Sequence, residues 1–243
     1  MRMTQVVTKQ EPLSLRALLK PGISAVRCHW PAFVFFQIVS LLLVIGYFRV
    51  EAVHNFCQKL STFKNESGLL FAPVVAVIAG VLFPELAKRA FEGARYHFNW
   101  KQLPSLVLFF AVYGVITDLQ YRLMALLYGN STDFSVALCK MLTDQFITTP
   151  IWGVPYWILV YAWRDQGYRI VPTLKLISPR WYLTSVLPLL VSAWCYWLPI
   201  VLMIYSLPGP LQFSLFASAM AAWSIIIVFV AAKQTPSSDA RQG

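Results

Sequence analysis

Charge is what this sequence has least of. Of its 243 residues only 12% are Asp, Glu, Lys or Arg, about half the ~25% share of an average soluble domain. A globule of this length could bury a large core, but its surface needs more charge than this to stay in solution. Disorder is excluded too, because it demands the opposite composition. Cysteine and histidine are also scarce. Cys28, Cys57, Cys139 and Cys195 show no CxxC pair and no other metal spacing, and His29, His54 and His97 stand apart from any Cys or Glu cluster. Neither a structural zinc nor a disulfide framework is expected. There is no GxSxG, no HExxH and no Gly-rich phosphate loop. The chain therefore reads as a non-enzyme with no catalytic residue, no metal and no cofactor. It has no soluble basic and aromatic module, which argues against a nucleic-acid partner. Nor does it show the ten-residue polar and apolar alternation of a membrane barrel.

What is present is apolar: 58% of the residues are hydrophobic, and the mean hydropathy is +0.61. Six apolar segments can be marked, at 32–48, 69–83, 103–128, 134–163, 183–207 and 211–232. At ~1.5 Å per residue most are long enough for a ~30 Å hydrocarbon core. The second is short and has to extend towards Lys88 or thin the bilayer. Pro208-Gly209-Pro210 leaves room only for a tight turn between the last two. The expected fold is an all-α, polytopic transmembrane helix bundle of about six spans, with four or five spans and one segment lying flat as the alternative. Residues 1–30 form a basic inner-face segment, 31–233 the transmembrane domain and 234–243 a polar tail. The lipid bilayer is the expected partner, and the pattern allows a homo-oligomer.

The 20 basic residues then acquire a topological meaning. With the N-terminus inside, fifteen of them fall on the inner side and five on the outer side. The positive-inside rule therefore puts both termini on the cytoplasmic or matrix-like side. The membrane is a bacterial inner membrane or an organellar one, mitochondrial inner or peroxisomal. Trp30, Trp100, Trp163 and Trp181 fall at inner ends, and Tyr47, Tyr128 and Tyr205 at outer ends, the depths that amphipathic rings prefer. Residues 13–20 (LSLRALLK) form a short basic amphipathic stretch suited to lying on the inner leaflet.

The residues that could carry function lie between Tyr113 and Trp163. The third segment holds Gly114, Asp118, Tyr121 and Arg122. The fourth holds Lys140, Asp144, Gln145, Thr148, Thr149, Pro150, Gly153 and Pro155. Ionisable residues inside a span cost about 2.5–3.5 kcal/mol each at mid-helix and face a bundle interior or a wet cavity. Asp118 and Arg122 are four apart and share a helix face, as do Lys140 and Asp144 in reversed order. A turn centred near Ser131 makes the two helices antiparallel neighbours, with Arg122–Asp144 and Lys140–Asp118 as diagonal pairs. A near-neutral quartet is expected in the outer half of the bundle, either as interhelical glue or as the lining of a solute pathway. Pro150 and Pro155 remove backbone donors and predict a kink, which is tolerated where protein or a wet cavity covers it.

These residues carry a resemblance. Gly114, Asp118, Tyr121 and Leu123, followed by Lys140, Asp144, Gln145 and Pro150, resemble the paired elements of a known family. It is the peroxisomal and inner-mitochondrial membrane family of Mpv-seventeen and the 22-kDa peroxisomal membrane protein. Trp197, Pro199, Pro210 and Trp223 echo its C-terminal signature. Leu202, Tyr205 and Ser206 replace its Gln and Asn-Phe, and Phe83-Pro84-Glu85-Leu86 stands where its early Gly-Asp and Gln element belongs. The resemblance covers roughly residues 69–232. It implies a weakly selective channel for small solutes, or a protein of membrane homeostasis. A structural or assembly factor without transport, and an ion-coupled transporter, are the other expectations.

Overall fold

The computed structural model describes residues 15–93, 97–98 and 100–234. Every regular element among them is helical. Helix α1 runs from Leu15–Arg49 and α2 from Glu51–Ser67. A 3-10 turn (Gly68–Leu70) leads into α3 (Phe71–Val77), a π-helical turn (Ile78–Leu82) and α4 (Phe83–Glu92). Then come α5 (Leu103–Tyr128), α6 (Phe134–Thr143), a π-helical stretch (Asp144–Gly153) and α7 (Val154–Asp165). The short helices α8 (Ile170–Leu174) and α9 (Pro179–Trp181) precede another π turn (Tyr182–Val186), α10 (Leu187–Tyr205) and α11 (Gly209–Gln234). Three helical runs are long and apolar enough to cross a membrane: Glu51–Ala90, Trp100–Tyr128 and Pro179–Tyr205. Val34–Arg49 is a shorter apolar helix. The expected all-α class stands, and among the described residues three helices rather than six meet the membrane criterion. Residues 13–14, the side chains of 15–19 and the tail at 235–243 lie outside the described residues, so the basic amphipathic stretch is described only as helical backbone from Leu15.

The first departure from expectation follows α1. The stretch 49–68 reads as an outer loop, yet it is helix. Val50 alone breaks the chain, in an extended conformation (φ −119°, ψ 110°). It still donates its N–H to the Gly46 carbonyl and accepts from His54 N–H, at 2.8 and 2.9 Å. The physical reason lies in residues 51–67, which hold no Pro or Gly. Val53, Cys57, Leu60 and Lys64 recur at helical spacing along one stripe of this polar segment. That stripe packs inward, and Lys64 goes with it. At Gly68 the chain takes φ +57°, the region open to glycine, before the apolar α3 begins.

Contact across the bundle is close where residues are small. A Cβ on Gly114 of α5 would lie 2.6 Å from both the Ala72 carbonyl oxygen and the Ala76 Cβ of α3. A Cβ on Gly80 would fall inside the Phe110 ring, 2.1 Å from two of its carbons. The α3–α5 crossing thus brings backbones together as small-residue membrane interfaces do. On its other side α5 runs antiparallel to α6–α7. Phe109 stacks on Tyr156 with ring centroids 5.2 Å apart, and Tyr113 on Tyr156 at 5.8 Å. The Tyr156 hydroxyl donates to the Phe109 carbonyl at 3.1 Å. Helix α1 lies along α10, and α11 packs against α2, α4 and α5. The turn from α10 to α11 spans only Ser206 to Pro208, as the Pro-Gly-Pro sequence implied.

Aromatic residues expected in an outer interfacial belt divide. Tyr128 is exposed, but Tyr47 and Tyr205 are core residues. Tyr47 stacks on His54 across the α1–α2 joint, and Tyr205 turns into the bundle. Each finds a hydrogen-bonding or stacking partner inside, so the water boundary has no claim on it.

Gly114→Ala is expected to force α3 from α5 and to lower stability by about 1–3 kcal/mol, the usual cost of overpacking. Gly46→Ala, whose Cβ would meet Val53 at 3.4 Å, should be tolerated far better. Thermal melting of the two variants in detergent compares them directly.

Candidate functional site: a buried polar layer around Asp118 and Asp144

The polar residues singled out above do gather inside the bundle. Asp118, Lys140, Asp144 and Gln145 are each at most 5% exposed, and Tyr121 is 5% exposed. Their pairing differs from the one expected. Asp118 bonds Lys64 of α2 at 2.9 Å through Oδ1, and Arg122 of its own helix at 2.8 Å through Oδ2. Lys64 also lies 5.4 Å from the Phe213 ring centroid of α11. The diagonal pairs Arg122–Asp144 and Lys140–Asp118 do not form. Among the described residues, no carboxylate lies within 4.0 Å of the Lys140 Nζ, which faces the Tyr205 ring at 6.0 Å.

The register explains the change. Gln120 donates to the Thr148 hydroxyl at 3.1 Å, and the Tyr128 and Thr143 hydroxyls meet at 2.6 Å. These contacts set Asp118 level with Pro150 and leave Lys140 beyond the reach of Asp118. The turn itself is centred on Ser131 as expected, between Tyr128 at the end of α5 and Phe134 at the start of α6, but the two helices are staggered along their length. Arg122 points outward, with its side chain 58% exposed. Lys64, absent from the expected quartet, takes the place assigned to Lys140. Its sequence signal was its position on the apolar stripe of α2.

Asp144 has a different set of partners. The Tyr205 hydroxyl of α10 donates to its Oδ2 at 2.7 Å. The Gln145 amide donates to its Oδ1 at 2.9 Å, and the Thr149 hydroxyl to the same oxygen at 3.2 Å. Tyr205 is held edge-on by Tyr121, with ring centroids 5.6 Å apart. Asp144 thus has three hydrogen-bond donors and no cation within ion-pair distance, whereas Asp118 has two cations.

At Pro150 and Pro155, where a kink is expected, the helix changes its hydrogen-bond register. Over Asp144–Gly153 the backbone bonds run from residue i+5 to residue i, and Val154 N–H donates to the Thr149 carbonyl. In that register Pro150 leaves the Gln145 carbonyl without a donor, and Pro155 does the same to the Pro150 carbonyl. Both orphans are met from outside the helix. The Trp194 indole of α10 donates to the Gln145 carbonyl at 2.8 Å. The Tyr182 hydroxyl donates to the Pro150 carbonyl at 3.1 Å. The five-residue spacing of the prolines matches the five-residue period of the hydrogen bonds, so the rod stays continuous. Gly153, at the end of the stretch, is buried. Thr148 donates to the Asp144 carbonyl at 2.7 Å. The other two π turns also lie just before prolines, Pro84 and Pro188.

A small recess of about 10 Å³ lies at the other end of the α5–α7 pair, lined by Ser105, Leu106, Phe109 and Tyr168 among others. It touches none of Asp118, Arg122, Lys140 or Asp144.

Two outcomes follow for stability in detergent. Lys64→Met should cost about 3–5 kcal/mol, because it leaves a buried carboxylate with one partner, and Lys64→Met with Asp118→Asn should recover much of that loss. Arg122→Gln, at the exposed end of the network, should cost no more than about 1 kcal/mol. Trp194→Phe should cost about 1–3 kcal/mol through the unmet Gln145 carbonyl. Denaturation midpoints of the single and double variants test these values. No family model, curated protein or solved structure matches this chain.

Proposed function

We propose that the chain is an integral membrane protein of six spans that passes small solutes with weak selectivity. The route follows the polar layer between α5 and the rod formed by α6 and α7. The observation that carries this reading is the π-helical stretch Asp144–Gly153. It begins at a buried carboxylate, and its two proline-orphaned carbonyls are held by side chains of neighbouring elements. Such a segment exchanges partners without losing its own ladder. Interrupted helices of this kind mark binding sites in transporters, and π-helical turns recur at functional sites.

Further support comes from the distribution of the apolar segments, one on each of six helical runs among the described residues. The polar layer holds both signs of charge, Lys64, Asp118, Arg122, Lys140 and Asp144, which suits weak selectivity better than a ring of one sign. The elements at Gly114–Leu123 and Lys140–Pro150 support remote membership of the Mpv-seventeen and 22-kDa peroxisomal membrane protein family. The basic residues favour both termini on the inner side. In the described conformation Tyr205 seals the layer by holding Asp144 to α10.

A second reading, an assembly or membrane-homeostasis factor without transport, is favoured by the tight packing and by the recess that does not reach the layer. It predicts no solute flux and a defined partner crosslinked through the inner loops. The two readings separate in proteoliposomes. The channel reading expects solute flux above that of empty vesicles, lowered severalfold by Asp144→Asn and raised by Tyr205→Phe, which frees the carboxylate from α10. Flux equal to that of empty vesicles, or unchanged in both folded variants, removes it.

A further inference from the structure

Asp144, Gln145 and Thr149 present an arrangement that the solute pathway alone does not require. The π register places residue 149 over residue 144, so Asp144 Oδ1, the Gln145 side-chain terminus and Thr149 Oγ1 form a small triangle. Its edges are 2.9 Å from carboxylate to amide, 3.3 Å from amide to hydroxyl and 3.2 Å from hydroxyl to carboxylate. The Gln145 amide turns its NH2 to this triangle. Its Oε1 is buried and has no partner among the described residues, although Gln145 is only 3% exposed. Rotating the amide by half a turn would bring that oxygen into the triangle. Three oxygens would then stand about 3 Å apart, the spacing of ligands around a small hard cation.

The Asp144 carboxylate meanwhile lacks a counter-charge within ion-pair distance. We infer that Asp144 Oδ1, Gln145 Oε1 and Thr149 Oγ1 form a sodium-ion site. A single carboxylate balances a single positive charge, which disfavours divalent ions that gather more carboxylates. Tyr205 holds the second carboxylate oxygen and fixes the site against α10. Lys140 lies one turn before Asp144 on the same face, buried beside the Tyr205 ring. Its charge opposes the ion and keeps the affinity low. Trp194, bonded to the Gln145 carbonyl and packed 5.1 Å from the Phe146 ring, reports on any movement there.

This assignment deepens the function proposed above. It rests on that reading for its role in solute passage but not for its detection. The experiment uses the full chain in detergent at constant ionic strength, with sodium chloride replacing choline chloride. Sodium should raise the melting temperature saturably and change tryptophan fluorescence, and the fluorescence change should shrink in Trp194→Phe. Thr149→Val should abolish the stabilisation and Thr149→Ser should retain it. Lys140→Met should shift the sodium midpoint to about tenfold lower concentration, as removal of a nearby like charge requires. Coincident sodium and choline curves in the wild type, or a wild-type response in folded Thr149→Val, overturn the site. Sodium binding without solute flux keeps the site and removes the channel. Flux without a sodium response does the reverse.

Discussion

Two missing N–H groups shape the centre of this molecule. Pro150 and Pro155 delete backbone donors in an apolar interior, where an unmet carbonyl has no water to turn to. The helix answers by lengthening its hydrogen-bond period to five residues, which collects the deficit at the Gln145 and Pro150 carbonyls. Trp194 and Tyr182 must then arrive from the α9–α10 region to meet them. Much else depends on that meeting. With Trp194 in place, α10 lies against the π stretch, Tyr205 reaches Asp144, and Tyr121 of α5 closes on Tyr205. The polar layer is thus assembled by a constraint of the backbone, and the side-chain charges occupy what it leaves.

The two buried carboxylates show how differently one bundle can treat the same group. Asp118 sits between Lys64 and Arg122, so its charge is matched within its own surroundings. Asp144 sits among hydroxyl and amide donors. The first arrangement joins α2 to α5 as an ionic fastening. The second can exchange partners, because hydroxyls and amides rotate at little cost while a buried ion pair resists separation.

Helical class, the apolar segments, the Pro-Gly-Pro turn and the burial of Asp118, Lys140 and Asp144 were all legible in the sequence, since each follows from local composition. The partners of those charges were not. Asp118 finds Lys64, which is more than fifty residues away in a segment polar enough to pass for a loop. Its helical stripe through Val53, Cys57 and Leu60 was visible only if helix was assumed first. The turn at Ser131 was legible, but the stagger of α5 against its neighbour, set by contacts such as Gln120 to Thr148, was not, and it undoes both diagonal pairs. The π stretch was foreshadowed by the prolines, but a proline announces a missing donor without saying which hydrogen-bond period the helix then adopts. That choice was made by Trp194 and Tyr182, which lie far along the chain.

Gln37 of α1 donates its amide to the Tyr196 carbonyl of α10 at 2.7 Å, across 159 residues of sequence. Helix α1 therefore leaves the ribosome well before its seat exists. Its docking surface does not exist until α10 has been synthesised, and a contact this distant is slow to close. In the interval α1 is joined to the rest through the single extended residue Val50. Gln37 must also borrow another partner, from water, lipid or an insertion factor. The order of synthesis and the order of assembly run against each other here, and a chain released before α10 is complete would carry α1 undocked.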